Sequence, residues 1–200
     1  MWVVKLGGSL HSSDYLKRWL EEISQHGRGQ VVLVVGGGPF ADVVRDSQKQ
    51  HHYDDRTAHN MAMLGMQQYA EMIANISPTL TLTYDIASIH KVLDEDGIPV
   101  WMPYNMLINE TAIQPDWNMT SDGLATWLAE QMNIQQLLFI KSVPLPEGPF
   151  SYQKLSQAGL IDEYSANYLE KNKIDLHWLS REKSAQFSNV LQGKSGQLKF

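Results

Sequence analysis

The chain has 200 residues, 43% of them apolar and 19% charged, which is enough to bury a core and too apolar for disorder. A formal net charge of -6 argues against general nucleic-acid binding, which wants a basic surface. Cysteine is absent, which excludes disulfides, thiolate metal sites and a cysteine nucleophile, and no apolar run reaches membrane-spanning length.

In chain order, Trp2 to Leu6 is a short apolar run ending in Gly-Gly-Ser, which predicts a buried strand and a turn. Such a start reads as a strand and not as a signal peptide, so a cytoplasmic protein is expected. Leu16, Trp19, Leu20 and Ile23 then recur at helical spacing, with Ser12, Ser13 or Asp14 able to cap the helix and His26-Gly27-Arg28-Gly29 ending it. Val31 to Val35 is a run of consecutive β-formers, the mark of a strand covered on both faces. Gly36-Gly37-Gly38-Pro39 opens a second helix, proline being tolerated in a first turn.

Strand, helix, strand and helix at these lengths imply parallel strands joined by crossovers. Ala58 to Ile76 reads as a long helix with Ala58, Met61, Ala62, Gly65, Tyr69, Met72 and Ile73 along one stripe. Leu80 to Leu82 is a short strand, Ile86 to Leu93 a helix, Asp96-Gly97 a turn, and Ile98 to Met102 a strand with Pro99 near its start. A polar loop is expected up to Trp117. The rhythm then repeats: helix Ser121 to Met132, strand Gln136 to Ile140, proline-rich loop Ser142 to Pro149, helix Tyr164 to Asn172 and strand Leu176 to Leu179. Edge strands are expected at the C-terminus. The whole of 1–200 reads as one α/β domain.

Each glycine loop, Lys5-Leu6-Gly7-Gly8-Ser9 and Gly36-Gly37-Gly38, follows a buried strand. At the carboxyl ends of parallel strands, free N–H groups point outward and glycine lets the backbone approach an anion closely. Either loop alone is equally well a tight strand-to-helix turn, and neither fits the P-loop pattern. Lys5 favours the phosphate reading, because a lysine in an apolar strand is costly to bury unless it meets an anion. Asp122, at a helix start behind Thr120 and Ser121, either complements the helix dipole or holds lysines in place. Lys141 follows the run Leu137 to Ile140, so it emerges at a strand's carboxyl end as well. His51, His52, Asp54, Asp55 and His59 cluster in sequence but match no metal-ligand spacing. Met61, Met63, Met66 and Met72, with Trp19, Trp117 and Trp127, read as structural.

The ordered set Lys5-Leu6-Gly7-Gly8-Ser9, Val35 to Pro39, Thr120-Ser121-Asp122 and Leu137 to Val143 resembles the amino-acid-kinase family over nearly the whole chain. The end, Gly193 to Phe200, weakly resembles that family's closing strand. The resemblance implies a three-layer α/β/α sandwich on a largely parallel sheet, carbamate-kinase-like. It places the acceptor in the N-terminal half and the nucleotide in the C-terminal half. It also implies ATP, Mg²⁺ held largely by phosphates and water, a small-molecule substrate and a homo-oligomer. Lys5 and Asp122 would be catalytic, Lys5 by stabilising the transferring group and Asp122 by orienting the lysines. Gly7, Gly8, Ser9, Gly36, Gly37, Gly38, Lys141 and Ser142 would bind phosphates or nucleotide, with Gly8 and Gly37 supplying N–H donors.

Asp55, His59 and Asn60 are the acceptor-binding candidates. Ala58 to Leu64 is similar to a stretch of uridylate kinase in which an aspartate, here His59, meets the nucleoside sugar. Its loss disfavours UMP; a histidine there either meets an anionic acceptor or is a helix-face residue. The short length, the tryptophan before Thr-Ser-Asp and the Ala125-x-Trp127-Leu128-Ala129 stretch look closest to the (aminomethylfuranyl)methyl-phosphate kinase branch of methanofuran biosynthesis. Departures are Pro144 to Gly148 in place of an Asp-Gly turn, no second Gly-Met-x-x-Lys lysine, and Phe40-Ala41-Asp42 without a following histidine. These disfavour acetylglutamate and isopentenyl phosphate. The alternatives are a carboxylate, carbamate or UMP-like acceptor, or a nucleotide-binding subunit without catalysis.

Overall fold

Every residue of the first strand, β1 (Trp2–Leu6), is buried, and so is every residue of β2 (Val31–Val35). The computed structural model describes residues 1–110, 113, 116–146, 151–172 and 174–194. Between β1 and β2 lie a 3-10 turn, Gly8–Ser12, and helix α1 (Tyr15–His26), which buries Leu16, Trp19, Leu20 and Ile23 as its spacing requires. Helix α2 (Gly38–His51) carries Pro39 in its first turn. Helix α3 (Asp55–Ile76) begins three residues before the expected Ala58, because the Asp54 side chain accepts the Thr57 N–H at 2.7 Å and caps it.

There follow β3 (Leu80–Thr83), α4 (Ile86–Asp94), β4 (Ile98–Trp101), α5 (Tyr104–Leu107), α6 (Ser121–Gln131) and β5 (Gln136–Lys141). The chain continues through α7 (Tyr152–Gln157), α8 (Glu163–Lys171) and β6 (Asp175–Ser180). Helix α5 lies in what reads as a polar loop. The C-terminal expectation is corrected over the described residues: a 3-10 turn, Arg181–Gln186, and helix α9 (Phe187–Leu191) follow β6 in place of an edge strand. Phe187, Val190 and Leu191 fall at helical i, i+3, i+4 spacing and pack on the core under α1, where the Trp19 indole donates to the Arg181 carbonyl. Residues 195–200 of the closing strand, and 147–150 of the proline-rich loop, lie outside the described residues.

The strands form one sheet, ordered β3-β4-β2-β1-β5-β6, with every pairing parallel. Alternate β1 residues face opposite layers: Trp2, Val4 and Leu6 pack with α1 and α9, while Val3 packs with α4, α6 and α8. This is a three-layer α/β/α sandwich. The chain steps outward from β1 to β2 on one side and returns to β5 on the other, so β1 and β5 are the strands where the order reverses. Beyond β1 the chain enters α1 on one face; beyond β5 it leads to α8 on the other. The crevice that opens there, at the carboxyl ends, is where open parallel sheets bind ligands.

Candidate active site

Period-two alternation puts Lys5 on the same sheet face as Val3, the face covered by α6. In register, Lys5 sits between Val34 of β2 and Phe139 of β5, and it is only 5% exposed. An ammonium in that position needs an anion, and Asp122 in the first turn of α6 provides it: Lys5 Nζ lies 2.7 Å from Asp122 Oδ1. Lys141, at the end of β5, donates to the other oxygen, Oδ2. One buried carboxylate thus bridges two lysines from adjacent strands. Burial pushes the Asp122 carboxyl up, but the two ammonium groups outweigh it and hold its pKa below the ordinary value. Lys141 is pushed down, first by burial and then by Lys5, with Asp122 only partly opposing this. Two cations thus share a single anion.

Thr120 caps α6, its hydroxyl accepting the Asp122 N–H at 3.3 Å. The cap is itself gripped by Asp162, at the start of α8. Asp162 Oδ2 accepts from the Thr120 N–H at 2.7 Å, the Thr120 hydroxyl at 2.8 Å and the Gly123 N–H at 2.7 Å, while Oδ1 accepts from the Ser165 N–H. Burial and the neighbouring Asp122 raise the Asp162 pKa. Asp162 therefore fixes the end of α6 that carries Asp122.

The two glycine loops meet over this triad. A Cβ on Gly8 would lie 2.4 Å from the Gly38 nitrogen, and one on Gly36 would lie 2.5 Å from the Gly8 nitrogen, so the loops touch only because both are glycine. Gly38 also needs its φ of +52°. The Gly7 N–H is bound to the Ile140 carbonyl and that of Gly36 to the Leu6 carbonyl, each at 2.9 Å. These two residues therefore anchor the loops to the sheet rather than offering N–H donors. Gly8, Ser9, Gly36, Gly37, Gly38, Asp122 and Lys141 line one cleft of about 400 Å³ with Lys5; Gly7 and Ser142 do not line it.

A second, smaller cavity adjoins the first across Gly37, Ala41, Arg45, Thr120 and Ser121. Its far wall is His59, Met63, Met66, Met119 and Leu124. Of the acceptor candidates, only His59 reaches it. Asp55 is exposed and accepts from the Gln48 amide at 2.8 Å, and Asn60 lies on no wall of either cavity. Gln48 in turn accepts from the Trp117 indole at 2.8 Å, so Asp55 supports the cavity at one remove. His59 is 6% exposed. Burial lowers its pKa, against the opposing backbone and charge of Asp116, which disfavours the charged form that an anion would meet.

The cation at the junction is Arg45, which sequence reasoning passed over. Its guanidinium lies 4.5 Å from the Trp117 ring centroid and 2.8 Å from Asp42 Oδ1. Gly38, Ala41 and Arg45 recur at 0, +3 and +7 along α2, so one helix face runs from the glycine loop to Arg45, a signal present in the sequence. Trp117, read as structural, is the ring beneath that cation.

Residues 1–145 match the amino acid kinase family. The [5-(aminomethyl)furan-3-yl]methyl phosphate kinase of Methanocaldococcus jannaschii is 23% identical over 97% of this chain and 94% of its own. Among solved structures, UMP kinase from Bacillus anthracis superposes with a TM-score of 0.72 at 15% identity, covering 98% of this chain and 97% of that one. Uridylate kinase from Archaeoglobus fulgidus gives 0.70 at 17% identity over 98% and 97%. An isopentenyl phosphate kinase gives 0.64 at 13% over 98% of each. These relatives are all kinases of small molecules. The matched residues take in β1, both glycine loops, the start of α6 and Lys141, the parts that converge at the reversal of the sheet, and the chain belongs to the amino acid kinase family.

Proposed function

We propose that the chain is an ATP-dependent kinase that transfers the γ-phosphoryl group to a small metabolite already carrying a phosphate, with [5-(aminomethyl)furan-3-yl]methyl phosphate as the acceptor. The observation that carries this is the meeting of Lys5 and Lys141 on the single carboxylate of Asp122 beneath a glycine-only contact between loops. Two cations on one anion leave positive charge facing the cleft, which suits a polyphosphate. Gly8 and Gly37 supply N–H donors to it, and Lys5 and Lys141 neutralise charge that builds up as the phosphoryl group moves. Asp122 does not react; it fixes the two ammonium groups. Burial already lowers the energy gap to a neutral Lys141, so an incoming phosphate strengthens that residue's charge.

In the reaction an oxygen of the acceptor phosphate bonds to the γ-phosphorus while the bond from that phosphorus to the β-phosphate oxygen breaks, giving a diphosphate and ADP. An acceptor phosphate is largely ionised near neutral pH, so no general base is required. The carboxylate that does meet the lysines, Asp122, is held by both ammonium groups. Among the described residues, no group of three or more His, Asp or Glu side chains is placed to hold a metal. Mg²⁺ would arrive on the nucleotide and be held by phosphates and water. Arg45 lines both cavities, which supports a role for it in binding the acceptor phosphate, since bidentate recognition of that group is what guanidinium does well. The full-length match to the furanylmethyl phosphate kinase supports this acceptor, and so does the small size of the second cavity.

The test is incubation of purified protein with Mg-ATP and [5-(aminomethyl)furan-3-yl]methyl phosphate, followed by phosphorus NMR. A diphosphate resonance with the wild type, reduced by about a hundredfold or more in Lys5→Ala, is expected. No diphosphate, or equal rates in the two proteins, would sink the reading. Assembly as a homo-oligomer belongs to the same proposal, since α3 leaves Met61 and Leu64 exposed; a monomer by sedimentation at working concentration would remove it.

A further inference from the structure

One carboxylate divided between two lysines leaves Lys141 short of a full counter-charge, although its side chain is only 15% exposed. A lysine stem is flexible and its ammonium is a point charge with no preferred plane, so its aim has to come from the surroundings. The strand register supplies them. Phe139, two residues earlier on β5, projects from the same face, and its partner in β6 is Trp178. The partner of Lys141 itself is Ser180, buried and small, which leaves room for the lysine stem beside those rings. The Lys141 ammonium lies over both, 5.4 Å from the Phe139 centroid and 5.7 Å from that of Trp178. At such distances the negative face of a ring attracts a cation, and tryptophan offers the strongest face. The indole is fixed in turn. It is 6% exposed, packs in the layer of α6 and α8, and donates its N–H to the Val143 carbonyl at 3.1 Å. One side chain thus meets both the Lys141 ammonium and the backbone two residues beyond it.

We infer that Trp178 is a positioning residue for the cleft: its ring holds the Lys141 ammonium in its charged form, and its N–H pins the chain just past β5. This rests on the reading of Lys141 as a phosphate-binding lysine and deepens it by naming what aims that lysine. Phe139 cannot do the same alone, because it belongs to β5 and gives Lys141 no reference outside its own strand. Trp178 stands on the neighbouring strand β6, and Asp122 on α6. Together they locate the ammonium against two elements besides the one that carries it. An aliphatic side chain in place of Trp178 would cover Lys141 but offer no negative face, so the charged form would lose support. A phenyl ring would keep the face and lose the donor to Val143.

The experiment titrates the free protein, carrying carbon-13 at lysine Cε, by NMR; the resonance lost in Lys141→Met identifies the residue. In Trp178→Leu the Lys141 transition should move to lower pH than in wild type. The expected size is about a two- to thirtyfold change in its ionisation constant, the range for a cation over a ring from exposed to desolvated sites. In Trp178→Phe the transition should stay closer to wild type. Thermal unfolding checks that each variant folds, and should Trp178→Leu fail, Trp178→Met takes its place with the same expectation, methionine being the more adaptable filler. A transition at or above the wild-type position in the aliphatic variant would overturn the inference. So would an equal shift in Trp178→Phe, since the ring face would then contribute nothing. Calorimetric titration with ATP over the same pH range is read separately. Its affinity should begin to fall at lower pH in Trp178→Leu than in wild type, because binding favours charged Lys141. A moved transition with ATP affinity unchanged at every pH keeps this inference and removes Lys141 from the phosphate site. ATP affinity that tracks an unmoved transition does the reverse.

Discussion

Asp122 is the residue on which most of the site depends. A carboxylate at this depth is costly to bury, and it stays charged because Lys5 and Lys141 sit on either side of it. Its lowered pKa means that its contribution to stability is complete above the unfolded carboxylate pKa, near 3.9. The contribution is lost only as pH falls through the lower folded value. Asp122→Asn keeps the volume and removes the anion, leaving Lys5 buried with nothing to neutralise it. Truncating one partner of a buried pair costs about 3–5 kcal/mol, so the unliganded variant should melt well below wild type. ATP brings its own anionic oxygens to the same ammonium groups, so it should raise the variant's melting temperature by more than it raises wild type's. Scanning calorimetry with and without ATP checks both halves. An unliganded variant as stable as wild type would mean that the lysines do not depend on Asp122.

At the scale of elements, the site is made by a contact between the loop after β1 and the loop after β2, and glycine is the condition for it. Gly8→Ala would drive a methyl to 2.4 Å from the Gly38 nitrogen and 2.9 Å from its Cα, so the loops must part. Overpacking of this kind costs about 1–3 kcal/mol, but parting the loops also moves N–H donors away from the phosphates. ATP affinity should therefore fall by at least about tenfold, since a displacement costing one good hydrogen bond is worth that much. Equilibrium titration with ATP measures it, and wild-type affinity in the variant would show that the close approach is not part of the cradle. Much of this was readable beforehand. Val31–Val35 is buried on both faces because its sequence has no polar alternation, and Leu16, Trp19, Leu20 and Ile23 could only be a helix stripe. Lys5, the glycines, Asp122 and Lys141 announced themselves by breaking those patterns. What stayed hidden depends on distance along the chain. Asp162 grips Thr120 across 42 residues, and no local spacing encodes that. Helices α5 and α7 are too short to show a period, and α9 was masked by an expectation of strand.

For the molecule as a whole, a formal charge of -6 surrounds a cleft in which cations outnumber the anion between them. The cleft draws on the ends of β1, β2 and β5 and on the start of α6, so its ligand touches only the assembled sheet. A ligand that binds the native state alone stabilises it by about 2.7 kcal/mol at a hundred times its dissociation constant. For a chain of this size, each kcal/mol moves the melting temperature by roughly 2–4 °C. Saturating ATP should therefore raise it by about 5–11 °C. The shift should depend on pH in a stated direction. Lys141 has a lowered pKa in the free protein, through burial and Lys5, and a bound polyphosphate favours its charged form and moves that pKa back up. Binding accordingly takes up a proton in the window between the two values, and stabilisation by ATP diminishes as pH rises through it. Calorimetric titration in two buffers of different ionisation enthalpy counts that proton directly. Lys141→Met should abolish the uptake while leaving the sheet intact. Uptake that persists in Lys141→Met would place the titrating group elsewhere, and no uptake at any pH in wild type would mean that the phosphates do not reach the lysine at the end of β5.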